Sequence, residues 1–300
     1  MSTSPNYRGL FVGLMTWDMV YLAPHFPKSD EKLVAADATL AAGGPATNAA
    51  VCFSYLGNKA TVMGSLGQHP IAHLIRSDLE SYQVAITDLT PDVTTPPPVS
   101  SIIVTAQTGD RAVISLNATR TTSPASALPP NFLENIDIIL IDGHQMAIAA
   151  AISSLANTQN IPIVIDGGSW KPGFEQILPL ADFVICSANF FPPGCDHHAA
   201  VFAYLSDLGI PHIAITQGEN PILYRSHGED GMVAVPQINP VDTLGAGDIF
   251  HGAFCYYILQ RDFPSALAAA SQVAARSCLF FGTRSSMKAS PNTDFDTGFV

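Results

Sequence analysis

Short apolar runs alternate along this chain with longer stretches in which apolar residues recur every three or four positions. The runs are 10–15, 61–64, 136–141, 161–165, 183–186 and 212–216. Continuous apolar runs of this length predict strands covered on both faces. Helical spacing begins after Gly43-Gly44, where Ala46, Ala49, Ala50 and Phe53 share a face and Gly57 stops the helix. It returns at Ile71, Leu74, Ile75, Leu79 and Tyr82, over 147–155 and over 199–208. A last stripe joins Ala246, Ile249, Phe250, Ala253, Phe254, Tyr257 and Ile258. Buried strands alternating with helices predict one α/β domain over 1–300. Its central sheet should be mostly parallel, with helices on both faces.

Two segments break the alternation, about 17–41 and 96–118, and neither carries a helical stripe. Within the second, Ser101 to Thr105 and Arg111 to Leu116 predict a hairpin turning at Thr108-Gly109-Asp110, entered through Pro96-Pro97-Pro98. Both segments are read as a small β element lying over one end of the main sheet. An apolar outer face on it, from Val20, Leu22, Ile103 and Val113, would serve a homodimer. Beyond Gly282 the chain is polar and rich in Ser, Thr and Pro, so 283–300 is expected to be loosely held.

Composition narrows the function. An apolar fraction of 47% with 13% charged residues supports a sizeable core. A net charge of −12 argues against a nucleic-acid surface, which needs clustered cations. No apolar run reaches the ~18 residues of a membrane helix, and no basic-then-apolar leader opens the chain, which therefore reads as cytoplasmic. The five cysteines form no CxxC pair and read as reduced, mostly buried thiols. Cys195-Asp196-His197-His198 has no second cluster to complete a metal site, and no metal ligands are assigned.

The chemistry concentrates in Val241-Asp242-Thr243-Leu244-Gly245-Ala246-Gly247-Asp248-Ile249-Phe250. A glycine turn opens directly into a helix whose first N–H groups lack intrahelical partners and carry the positive end of the dipole. Such an opening cradles phosphate oxygens. Asp248, in the first turn, is placed to take a proton from an attacking hydroxyl. Near the other end, Asp18 follows the first strand, and a carboxylate there accepts hydrogen bonds from adjacent hydroxyls. Gly43 and Gly44 let backbone approach a ligand, and Asn48 offers both donor and acceptor. Taken singly, these features also read as turn residues and plain caps.

Their order resembles the ribokinase-like, or PfkB, family of carbohydrate and nucleoside kinases over nearly the whole chain, with a flavour closest to ketohexokinase and related bacterial sugar kinases. Segments 26–30, 63–69, 166–172 and 272–278 share that look. The resemblance implies a ribokinase-like fold with a β-lid, ATP and Mg²⁺ as cofactors, and a sugar or sugar-like acceptor. It implies an anion hole at Gly245, Ala246 and Gly247, with Asp248 as the base. Asp18, Asp30, Gly43, Gly44 and Asn48 would face the sugar. Arg111 would reach from the lid toward substrate or phosphate; a solvated hairpin arginine is the other reading. On the nucleotide side it implies Ser187, Thr216, Gln217, Gly218, Glu219, Asn220, Thr243, Gln272 and Cys278, although plain core packing is the preferred reading of Cys278.

Three positions depart from the family pattern. Pro45 follows the glycine pair in place of Lys or Asn. The stretch Ser187-Ala188-Asn189-Phe190-Phe191-Pro192 lacks the Glu of an N-x-x-E motif. Asn220-Pro221 replaces a second glycine, and a left-handed Asn220 would preserve that turn. ATP-dependent phosphorylation of a sugar hydroxyl is the leading expectation. A nucleoside or sugar-acid acceptor is the alternative, and a catalytically silent binder or regulator is the reading from another class.

Overall fold

The computed structural model describes residues 6–116 and 121–289. The strands are β1 (Arg8–Val12), β2 (Thr16–Ala23), β3 (Asp37–Gly43), β4 (Lys59–Gly64), β5 (Ala85–Asp88), β6 (Val99–Thr105), β7 (Arg111–Ser115), β8 (Ile138–Ile141), β9 (Ile163–Gly167), β10 (Phe183–Ser187), β11 (His212–Gln217), β12 (Asn220–Ser226) and β13 (Glu229–Val233). The helices are α1 (Pro45–Tyr55), α2 (Pro70–Ser81), α3 (Met146–Thr158), α4 (Phe174–Ile177), α5 (His198–Asp207), α6 (Ala246–Tyr257), α7 (Phe263–Ser277) and α8 (Ser285–Lys288).

Nine strands form the main sheet in the order β13-β12-β11-β10-β9-β8-β1-β4-β5. From β5 to β11 every pairing is parallel, and β12 and β13 extend the sheet antiparallel. Successive side chains serve opposite faces, as strand geometry requires. Phe11, Leu140, Val164 and Ile185 pack with α1, α2, α6 and α7. Leu10, Val12, Ile139, Ile141, Ile163 and Ile165 pack with α3, α4 and α5. The fully buried apolar runs follow from this double cover.

The pair β12 and β13 was not legible in the sequence. Pro221, Arg225, Glu229 and Asp230 interrupt its apolar pattern. The charges of β13 are tolerated because it is the outermost strand, and Pro221 falls where the β11–β12 register is irregular, ahead of the first β12–β13 pair at Ile222. On α2, Leu74 belongs to the predicted stripe yet is 49% exposed, so the buried face runs through Ala72, Ile75 and Leu79 alone.

The two segments outside the alternation meet in a four-stranded sheet of order β3-β2-β6-β7. The β2–β6 pair is parallel and the other two are antiparallel. Register sets which residues share a face. Asp18 pairs with Ser100, Val20 with Ile102, and Leu22 with Val104, which pairs in turn with Arg111. That face turns inward: Val20, Ile102 and Val104 are buried against Leu22, Leu244 and Phe281. Val20 and Leu22 therefore belong to the inner face of this lid, not to an apolar outer one.

The segment after Gly282 departs from expectation as far as it is described. Thr283, Arg284 and Ser286 are buried, and α8 packs on α7. Polar side chains hid this anchoring, because it is made by hydrogen bonds and one buried cation rather than an apolar stripe. Residues 290–300, and 117–118 at the end of the predicted lid segment, lie outside the described residues. Among the described residues no helix is long and apolar enough to cross a membrane.

Candidate active site

The glycine pair after β3 brings α1 to the end of β1. Gly44 caps α1 at φ 103°, and a Cβ there would stand 2.2 Å from the Leu14 carbonyl oxygen, so only glycine fits. Gly43 serves a different need. A Cβ at this position would lie 1.9 Å from Asp18 Oδ2, so the missing side chain makes room for that carboxylate. Asp18 is 8% exposed, and its Oδ1 has no hydrogen-bond partner among the described residues. Burial lifts its pKa to about 6, against the opposing pull of the Ser100 and Thr16 hydroxyls and the Arg284 charge.

The second glycine turn brings α6 to the same place. Gly245 caps the helix in the left-handed region at φ 70°, and a Cβ there would press on Thr283 Cγ2 at 2.7 Å. The Ala246 N–H donates back to the Thr243 carbonyl at 3.3 Å, so one amide of the expected anion hole is engaged within the loop. Asp242 holds this loop from beneath. Its Oδ1 accepts the Leu244 N–H at 2.8 Å and its Oδ2 the Gly282 N–H at 2.9 Å. The Cys278 carbonyl accepts the N–H of Val241 and of Asp242.

The two helices meet through side chains separated by 200 positions. Asn48 Nδ2 donates to Asp248 Oδ2 at 2.7 Å. Burial lifts the Asp248 pKa to about 7, and the charge of Asp166 adds to the rise. The Asn48 hydrogen bond and His251 oppose it. His251, one turn along α6, sits within hydrogen-bond reach of the Gly247 carbonyl at 2.7 Å and the Ile185 carbonyl at 3.3 Å. Its Nδ1 is 3.7 Å from Asp166 Oδ2.

Asp142, at the end of β8, is a further organiser. Its Oδ2 accepts the N–H of Leu14 at 2.9 Å and of Ala46 at 3.2 Å, tying β1 to the start of α1. Burial alone would raise its pKa. The nearby His144 charge, the His144 hydrogen bond and the Leu14 N–H outweigh burial and bring it down to about 2.

Of the predicted acceptor-side residues, Asp18, Gly43, Gly44 and Asn48 gather with Asp248. Asp30 does not. It is exposed in the loop between β2 and β3 at φ 57°, beyond the Leu22–Asp37 pair, whereas Asp18 lies four residues back along β2. Arg111 reaches across from the lid and donates to Thr243 Oγ1 at 2.8 Å and to its carbonyl at 3.3 Å.

On the nucleotide side Ser187 Oγ donates to the Gly168 carbonyl, and Thr216 Oγ1 to the Cys186 carbonyl. Gln217 through Asn220 form the tight turn into β12. The positive φ falls on Gly218, at 63°, while Asn220 is the first strand residue, so no left-handed asparagine is needed. Gln272 is exposed on α7, and Cys278 is buried as its C-cap.

Sequence reasoning assigned no role to Asp142, Asp166, Asp242, His251 or Arg284. Asp142 and Asp166 end or follow apolar runs as Asp18 does, so the same end-of-strand signal would have found them. Arg284 had no such signal.

An open α/β sheet with carboxylates gathered at the strand ends, a glycine turn opening into a helix beside them and a β-lid above is the architecture of a small-molecule phosphotransferase of the ribokinase-like fold. The chain belongs to the pfkB family of carbohydrate kinases, whose profile matches residues 10–290. It is 27% identical to a deoxyribokinase of Salmonella typhi over 297 residues, covering 92% of this chain and 94% of that one. It is 24% identical to the ketohexokinase of Mus musculus over 287 residues, covering 90% and 95%. The solved structure of Arabidopsis thaliana ribokinase complexed with ribose and ATP superposes with a TM-score of 0.74 at 19% identity, covering 95% of this chain and 96% of that one.

Proposed function

We propose that this protein transfers the γ-phosphoryl group of ATP to a hydroxyl of a sugar, with Asp248 as the general base. The observation that carries the reading is the Asn48–Asp248 hydrogen bond of 2.7 Å, because it joins the acceptor-side helix to the helix that opens on the phosphate side. The unpartnered Asp18 Oδ1 supports it, since a buried acceptor without a donor suits a polyol hydroxyl.

In this reading Asp18, Asn48 and the Gly43-Gly44 backbone hold the sugar under the inner lid face. With its pKa near 7, Asp248 is basic enough to take the hydroxyl proton and is substantially ionised at neutral pH. The turn at 245–247 and the α6 dipole stabilise charge on the transferring group. Arg111 ties the lid to Thr243, closing the site against water. Ser187, the turn at 216–220, Thr243, Gln272 and Cys278 form the nucleotide side.

Family chemistry includes Mg²⁺, which neutralises phosphate charge when bound. Among the described residues no group of three or more His, Cys, Asp or Glu side chains is arranged to hold a metal ion. A nucleotide-borne Mg²⁺ that keeps phosphate oxygens and waters as ligands needs no such cage.

The test is ADP release from ATP across a panel of pentoses, hexoses, nucleosides and sugar acids. Sugar-dependent release that falls by about 10²–10⁴-fold in Asp248→Asn, with nucleotide affinity retained, is the expected outcome. Release with nucleosides or sugar acids alone would reassign the acceptor. Nucleotide binding with no acceptor-dependent release would make the protein a silent binder.

A further inference from the structure

Arg284 is 4% exposed, and its partners lie on three separate parts of the chain. One terminal nitrogen donates to Asn48 Oδ1 at 2.8 Å and to Thr283 Oγ1 at 3.1 Å. The other donates to the carbonyl of Ala42, the residue before the glycine pair. Its Nε is 3.6 Å from Asp78 Oδ2, and that same oxygen accepts the Ala42 N–H at 3.0 Å. The Tyr82 ring centroid lies 5.5 Å from the guanidinium carbon.

The chemistry of the groups fixes an orientation. A guanidinium has donors only, so the atom of Asn48 that faces it must be the carboxamide oxygen. The NH₂ group must then face the other way, toward Asp248. Without the cation the carboxamide is free to turn over. Its oxygen would then stand against the Asp248 carboxyl, an arrangement that favours the protonated acid and disables the base.

We propose that Arg284 is a positioning residue of the phosphotransfer site, holding the Asn48 carboxamide so that its donor, not its acceptor, meets Asp248, and bracing the approach to Gly43-Gly44 through Ala42. This rests on the kinase reading for its catalytic consequence and on geometry alone for the orientation. The charged and titratable groups near Arg284 are Asp78, Tyr82 and Asp18, with Cys52 beside it. Those bearing on Asp248 are Asp166, His251 and Asp18.

The experiment follows the Asp248 carboxyl by ¹³C NMR against pH, its signal assigned by its loss in Asp248→Asn. Arg284→Gln should raise its titration midpoint by about one pH unit and lower kcat at pH 7 by about fivefold, the loss recovering as pH is raised. Arg284→Lys, which keeps the charge but loses the fork, should move both in the same direction by less. In an Asn48→Ala background Arg284→Gln should leave the midpoint where Asn48→Ala already puts it. An unshifted midpoint in Arg284→Gln, or an equal further rise in the Asn48→Ala background, overturns the proposal. If Arg284→Gln does not fold, Arg284→Lys decides by the same criteria. Absence of acceptor-dependent ADP release from the unaltered protein would overturn the kinase reading alone, because the NMR titration needs no turnover.

Discussion

Gly252 of α6 lies directly against Ala49 of α1: a Cβ on Gly252 would stand 2.3 Å from the Ala49 carbonyl oxygen. The close approach is what allows Asn48, one residue before Ala49, to reach Asp248 on the neighbouring helix. The Gly252→Ala substitution forces the helices apart, since backbone cannot yield as a side chain would. It should cost about 1–3 kcal/mol of stability. Turnover should fall more than nucleotide affinity, because the displaced pair lies on the acceptor side. Denaturant unfolding and steady-state kinetics would check both, and full turnover with unchanged stability would contradict the packing argument.

The raised pKa of Asp248 predicts the pH dependence of activity. A general base must be ionised, so kcat/KM should rise with pH and level off above about 7. Replacing Asn48 by Ala removes a donor to the ionised form and should move that acid limb upward. A pH–rate profile of the two proteins measures it directly.

The same carboxylates predict a stability effect of opposite sense. Folded-state pKa values of about 6 for Asp18 and about 7 for Asp248 lie above the usual carboxylate value of 3.8. Between those values the folded state binds more protons than the unfolded state. The stability they contribute is therefore full below pH 3.8 and is lost as pH rises through about 6 and about 7. Asp248→Asn should accordingly stabilise the protein at pH 8 by about 1 kcal/mol, a figure reduced for the group's partial exposure, while nearly abolishing turnover. Thermal melts at pH 5 and pH 8 would show the gain at the higher pH only.

Gly43→Ala tests the room kept for Asp18. The new methyl group would overlap Oδ2, so the carboxylate must turn away from its place under the lid. Acceptor KM should rise about tenfold or more while ATP affinity holds. Isothermal titration with sugar and with a nucleotide analogue separates the two.

Arg111→Ala should unlatch the lid from Thr243 at small cost to overall stability, under about 1 kcal/mol, because the pair is exposed. Its signature should be faster hydrogen exchange in β7 together with a higher ratio of ATP hydrolysis to sugar phosphorylation.

Much of this protein was determined by its sequence alone. Buried strands announce themselves as unbroken apolar runs because helices cover both faces of the sheet. The glycine turns at 43–44 and 245–247 are legible because the backbone there adopts conformations or approaches that side chains forbid. Asp18, Asn48 and Asp248 could be singled out by residue type and position within those local patterns. What only the tertiary structure decided is how those patterns meet. The antiparallel pair β12 and β13 escaped notice because its charged residues and Pro221 break the apolar pattern, which an outermost strand and an irregular register beside it tolerate. Asp30 was grouped with Asp18 by sequence, yet strand length carries it to the far end of the lid hairpin. Arg284, 236 positions from Asn48, sits in a segment without apolar rhythm. Its burial is compensated by hydrogen bonds and a nearby carboxylate rather than by hydrophobic contact. Directional pairing across such separations leaves no periodic trace along the chain, so it becomes visible only when the chain is folded.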